Sequence, residues 1–197
     1  MAELAASALR ATNPEAVAYV LTDTTTTFRT LQPVRGYVSP QTMIYDRTIA
    51  QYQFLLQHRE ALFLDSDCVV RRDLSGVFDG SICVTDRIPP KAVPDQIYNG
   101  GVLYGRGHGG VAFWLHWCQL YWHIQRDAWA WYGDQLLLAH MAKTYPVTVY
   151  SGQTHNYVPS GPDDETDDAY IVHFKGAKRK AWMVDYVQRM MREQVAA

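Results

Sequence analysis

Two aspartates separated by a single serine, Asp65 and Asp67, close the apolar run of ALFLDSDCVV. In an extended chain, residues two apart face the same side, so both carboxylates can aim at one point. That point lies in the crevice beyond the strand's carboxyl end, where open α/β sheets bind ligands. Mg²⁺ and Mn²⁺ prefer oxygen ligands in octahedral geometry and complete their shell with water and substrate phosphates. One D-x-D therefore suffices when a phosphorylated substrate arrives with the metal. The plainer alternative is a turn after a strand, where Asp is common. Cys68, Val69 and Val70, which continue the apolar run, argue against an ordinary surface turn.

Two enzyme classes place a D-x-D at a strand end. LFLDSDCVV formally fits the first motif of the haloacid-dehalogenase-like phosphatases, with Asp65 as nucleophile and Asp67 as acid/base. That motif lies on the first strand of its domain, whereas here strand and helix candidates precede it. The other class is the nucleotide-sugar glycosyltransferases, in which the D-x-D holds a metal against the diphosphate. Cleaving a sugar-diphosphate bond builds negative charge on the leaving group and positive charge at the anomeric carbon. The site must stabilise both.

ALFLDSDCVVRRDLSGVF, YNGGVLYG, YGDQLLLAH and VHFKGAKRKAW occur in the order and approximate spacing of glycosyltransferase family 8, the group of glycogenin and the bacterial galactosyltransferases. The chain resembles that family over about Leu4 to Trp182. The resemblance implies a GT-A fold and transfer of a hexose from a nucleoside diphosphate donor, a uridine one, to a carbohydrate or glycoconjugate acceptor with retention of configuration. It implies that Asp65, Asp67 and His173 ligate Mn²⁺, with Mg²⁺ as the alternative. It points to Arg47 for the diphosphate, to Asp86, Asn99 and Gly100 for the donor sugar, to Gly176 and a lysine near the phosphates, and to Asp134 and Gln135 at the reacting centre. FKGAKRKAW resembles the family's H-x-x-G-x-x-K-P-W imperfectly: Lys180 lies one residue late, Lys178 one early, and Ala181 stands where proline is expected. Either lysine can face the phosphate. Plainer readings stand beside these: Asp134 as a helix N-cap, the basic run as a solvated helix face, His173 as a packed strand-end histidine. A third functional reading keeps the fold and nucleotide-sugar binding without turnover.

The elements that must position these residues read as α/β, with a mostly parallel central sheet flanked by helices in a single domain over residues 1–197. Strands are expected at 16–23, 61–65, 81–86, 100–105, 146–150 and 169–174, and helices at 2–11, 43–56, 111–125, 134–143 and 182–194. A Thr-rich loop follows the first strand, and RIPPKAVPDQ forms a Pro-containing loop. Gly105 to Gly110 is formally G-x-G-x-x-G, yet it reads as a loop because no strand with a ribose-binding acid follows at the required spacing. His116 and His123 read as core or subpocket residues. LAASALRATNPEAVAYVLTD resembles the family's first helix and second strand, so the base-reading first strand is expected to be missing ahead of Met1.

Composition sets the outer bounds. With 197 residues, 48% of them apolar, one core is expected. A net charge of -2 argues against nucleic acid as a partner. Three scattered cysteines suit neither a zinc site nor a disulfide framework and imply a reducing compartment. The N-terminus lacks the basic start and apolar stretch of a signal peptide. The longest apolar stretch is shorter than the roughly 20 residues of a membrane span. A cytoplasmic protein without a transmembrane segment is the expectation.

Overall fold

In a computed structural model, which describes residues 1–88 and 96–196, the chain begins with α1 (Ala2–Thr12), β1 (Tyr19–Thr22), β2 (Gln32–Arg35), α2 (Met43–His58), β3 (Glu60–Leu64) and β4 (Cys68–Val70). It continues with β5 (Ile82–Asp86), β6 (Tyr98–Arg106), α3 (Gly107–Leu120), two 3-10 turns, α4 (Gly133–Met141), β7 (Thr148–Tyr150), α5 (Gly152–His155), β8 (Ile171–His173) and α6 (Ala177–Ala196). Most of the Pro-containing loop expected after β5 lies outside the described residues.

The central sheet has the order β3-β6-β5-β7. β6 runs antiparallel to both of its neighbours, and β5 pairs with β7 in parallel. Three strands thus share a direction, as the helix and strand alternation implies, while β6 runs against them in the middle. The connection from β5 to β6 falls short of the dozen or more residues of a crossover, and a short return gives antiparallel pairing. β1 is half-buried instead of central, and it pairs in parallel with β2, a stretch the sequence assigns to the Thr-rich loop. A cavity of about 1010 Å³ is lined by Tyr19 and Leu21 of β1 together with Ala61 and Phe63 of β3. β4 and β8 form a separate antiparallel pair.

Leu55 of α2, Trp114 and Trp117 of α3, and Leu138 of α4 are fully buried in one cluster with Ile82 and Leu103 of the sheet. α1 and α6 close a second cluster around Val69 and Val172. The glycine-rich stretch is no loop: it ends β6 and makes the first turn of α3. Side-chain absence lets the two approach, since a Cβ on Gly105 would lie 2.7 Å from the Trp114 ring and 3.0 Å from Leu55. α3 stops at Leu120, and Tyr121 to His123 continue as a 3-10 turn that leaves His123 exposed. His116 Nδ1 lies 3.2 Å from the Tyr145 hydroxyl. The three cysteines are buried and unpaired. Among the described residues no helix is long and apolar enough to cross a membrane.

Candidate functional site

β3 delivers Asp65 to the end of the central sheet. Asp65, Ser66 and Asp67 then form a turn and not a continued strand, closed by the Cys68 N–H donating to the Asp65 carbonyl at 2.9 Å. The carboxylates converge through this turn, not through strand alternation. The third group arrives by strand pairing: the β4–β8 register sets Cys68 opposite His173, and the Phe174 N–H donates to the Asp67 carbonyl at 2.8 Å. His173 Nε2 stands 3.4 Å from Asp67 Oδ1 and 3.7 Å from Asp65 Oδ2. The other oxygen of each carboxylate meets a cation, Arg47 Nη1 at 3.0 Å from Asp65 Oδ1 and Lys180 Nζ at 3.1 Å from Asp67 Oδ2. Burial pushes the Asp67 carboxyl up, but the contacts of His173 and Lys180 outweigh it and hold the group at about 2.

The imidazole is oriented from behind. His173 Nδ1 lies 2.9 Å from Asn156 Oδ1, Asn156 Nδ2 donates to Thr85 Oγ1 at 2.8 Å, and the Thr85 hydroxyl donates to the Asn99 carbonyl at 3.5 Å. With the hydroxyl proton committed to Asn99, the amide must offer its oxygen to Nδ1–H. Nε2 is left facing the two carboxylates, the position from which it can ligate a cation. Two carboxylate oxygens and one neutral imidazole nitrogen can hold Mn²⁺ or Mg²⁺ with positions open for phosphate or water. His173 Nε2 lies within 4 Å of each carboxylate, while the donor atoms that lie within 4.8 Å of one another belong to Asp67, Cys68 and His173. Gly101 makes the room: a Cβ there would lie 2.7 Å from His173 Nδ1 and 3.1 Å from Asp65 Oδ2. Cys68 also borders Asp67 and His173. Its thiol, however, donates to the Gly101 carbonyl at 3.5 Å, and burial pushes it well above the usual range, so it is a packed side chain.

Arg47 extends this corner toward α4. It shares a face of α2 with the buried Gln51 and Phe54, and its Nη2 donates to Asp134 Oδ2 at 2.7 Å. Asp65, Arg47 and Asp134 form a continuous line of charge. α4 begins at Gly133, so Asp134 is not its N-cap but lies inside the first turn, with Oδ1 accepting from the Gln135 N–H at 2.8 Å. A carboxylate is favoured there by the helix dipole. Gly100 packs directly on the pair, since a Cβ would collide with Asp134 Oδ2 and lie 3.3 Å from Arg47 Nη2. The two glycines coincide with a break in the β5–β6 ladder. Its partners pass from Val84↔Leu103 to Thr85↔Asn99, so Gly100, Gly101 and Val102 bulge out of register.

The remaining sequence candidates divide. Gln135 is half-buried beside Asp134, and its Oε1 accepts from Arg87 Nη2. Asp86 and Asn99 hold backbone: Asp86 Oδ1 accepts from the Gly152 N–H at 2.5 Å, and Asn99 Oδ1 from the Gly101 N–H at 3.1 Å. α6 begins at Ala177, five residues ahead of the expected start, which puts both candidate lysines in its opening turns. Gly176, at φ 87°, supplies the left-handed step out of β8. Lys180 reaches Asp67, whereas Lys178 places its ammonium 5.6 Å from the centre of the Trp182 ring. Sequence reasoning missed three residues here. Gly101 was legible as the second glycine of YNGGV, and Arg87 as the residue after a strand end; nothing marked Asn156, which lies in a loop.

No family model matches the sequence, and no curated protein matches it. Solved structures do match in fold. One is LgtC, crystallised as an active-site mutant, at a TM-score of 0.60 and 14% identity over 96% of this chain and 90% of that one. Another is a glycosyltransferase involved in glycosylation of the major capsid of PBCV-1, at 0.56 and 16%, over 77% of this chain and 84% of that one. A third is the apo form of the glycosyltransferase GlyE of Streptococcus pneumoniae TIGR4, at 0.56 and 16%, of which this chain spans 59% while being covered over 99% of its own length.

Proposed function

We propose that this chain, which has the GT-A-like fold of those glycosyltransferases, is a metal-dependent hexosyltransferase using a uridine diphosphate sugar and a carbohydrate or glycoconjugate acceptor. The observation that carries the reading is the convergence of Asp65, Asp67 and His173 beside two cations, Arg47 and Lys180. Asp65 Oδ2, Asp67 Oδ1 and His173 Nε2 would hold Mn²⁺, or Mg²⁺ in its place. When bound, the ion neutralises the diphosphate as a Lewis acid. Lys180 and Arg47 add positive charge where the leaving group gains negative charge. Gly100 and Gly101 let Asp134, Arg47, His173 and Asp65 pack directly against β6. Asp134 is ion-paired and Gln135 is an amide, so neither is set up as a nucleophile. That fits attack by the acceptor hydroxyl on the face the diphosphate leaves, with retention. The phosphatase reading loses support, because Asp65, its nucleophile, has one oxygen in the Arg47 ion pair.

The test is UDP release from a panel of UDP-sugars with and without Mn²⁺, alongside an aryl phosphate. Metal-dependent release from at least one UDP-sugar is expected. An intact protein that neither binds nor cleaves any of them overturns the reading, and binding without turnover across acceptors assigns a non-catalytic module.

Two variants check the parts. Asn156→Leu removes the acceptor for His173 Nδ1–H and is expected to lower Mn²⁺ affinity about 10- to 100-fold, with Asn156→Asp retaining it, by calorimetry. Equal affinity in the leucine variant would dismiss the orienting role. Lys180→Met is expected to weaken UDP binding about tenfold, the loss of a charge-assisted hydrogen bond, while Lys178→Met leaves it unchanged. The opposite ranking would reassign the phosphate-facing lysine.

A further inference from the structure

The cations around the candidate site are not equally compensated. Arg47 has two carboxylates and Lys180 has one. Among the described residues the Arg87 side chain hydrogen-bonds only to the neutral amide oxygen of Gln135, its Nε has no hydrogen-bond partner, and no carboxylate lies within ion-pair distance of it. Burial pushes its pKa down and outweighs the pull of the Asp134 carboxylate, whose ion pair is with Arg47. A half-buried charge left in this state is costly unless something completes it.

Its position says what would. From the metal corner the polar line runs Asp65, Arg47, Asp134, Gln135, Arg87. In the donor reading above, a diphosphate at Asp65 and Asp67 would direct its sugar toward Asp134 and Gln135, and Arg87, hydrogen-bonded to Gln135, would border that sugar or the acceptor. Positive charge develops at the anomeric carbon during transfer. A bare guanidinium nearby would oppose it by simple repulsion. Arg87 also occupies the Gln135 oxygen, the atom suited to face that developing charge. An anionic substituent would remove both obstacles, neutralising Arg87 and drawing it off Gln135. The planar guanidinium fork matches a carboxylate in bidentate geometry.

Building on the donor reading above, we propose that Arg87 is a specificity-determining residue that selects a carboxylate-bearing sugar, a uronic acid, as either the transferred sugar or the acceptor.

Calorimetry in Mn²⁺ compares UDP, UDP-glucose, UDP-galactose, UDP-glucuronate and UDP-galacturonate on the unmodified protein, Arg87→Gln and Arg87→Lys. A second arm measures turnover of the neutral donors with methyl glucuronide against methyl glucoside as acceptors. One arm is expected to favour the acid over its neutral counterpart by at least about tenfold, because a site built for a polar partner rejects the analogue lacking it. The preference should vanish in Arg87→Gln and survive only in part in Arg87→Lys, which keeps the charge without the fork. The responding arm identifies the carboxylate's source. UDP binding with no preference for acids in either arm, or a preference that persists in Arg87→Gln, overturns this inference alone. Absence of UDP binding in the unmodified protein overturns the donor reading and this inference with it.

Discussion

On the proposed metal site, Asp67→Asn is expected to abolish the response to Mn²⁺ while leaving the fold in place. The substitution keeps the shape of the side chain but removes its negative charge and turns one of the two oxygens, which face His173 Nε2 and Lys180 Nζ, into an NH2 donor. Loss of a residue that only orients a ligand costs about 10- to 100-fold in metal affinity, so loss of an anionic ligand exceeds about 100-fold. The fold survives because the partner left behind, Lys180, has a side chain 45% exposed and retains water. At a Mn²⁺ concentration of about 100 Kd the unmodified protein gains about 2.7 kcal/mol. For a chain of this size that is a rise of roughly 5 to 11 °C in melting temperature. The variant should show no such rise and should melt close to the unmodified protein in chelator. An equal Mn²⁺-dependent rise in both proteins would remove Asp67 from the metal site.

Arg47→Met has the largest expected effect on stability. Arg47 bridges Asp65 and Asp134, and the Asp134 side chain is only 5% exposed. Removing the guanidinium strands a buried carboxylate beside Gly100, where no side chain can shield it. Breaking such a pair from one side costs about 3 kcal/mol or more, because the remaining charge is neither solvated nor paired. A fall of about 6 to 12 °C in melting temperature is expected. Arg47→Met combined with Asp134→Asn should recover most of it by removing the stranded charge, without restoring turnover, since the cation facing the diphosphate is still missing. An Arg47→Met protein with an unchanged melting temperature would show that the bridge contributes nothing to the fold.

The residues that meet at the candidate site were largely legible because they stand out by residue type. Asp65 and Asp67 lie two apart in sequence, Asn99, Gly100, Asp134 and Gln135 lie in short motifs, and His173 ends an apolar strand run. Geometry was legible only where it is local. The carboxylates converge, but through a turn, because the backbone reverses at Ser66 to start β4. The sheet was expected to be mostly parallel, yet β6 returns antiparallel, since periodicity marks a strand without giving its direction. β1 was expected to be buried, but it stands half-exposed with β2, because burial depends on what packs against a strand.

What the sequence by itself determined is the inventory: two carboxylates, a histidine, several cations and a glycine pair, carried by alternating helices and strands whose apolar periods are local properties. Only the tertiary structure decided the pairings. The β4–β8 register puts His173 beside Asp67, the bulge in β6 sets Gly101 beneath His173 and Asp65, and α6 starts early enough for Lys180, not Lys178, to reach the carboxylate. Asn156 behind His173 and Arg87 against Gln135 belong to the same class. Each partner lies 17 or more residues away along the chain, and a contact between distant residues is set by strand register and helix placement, which the order of residue types does not encode locally.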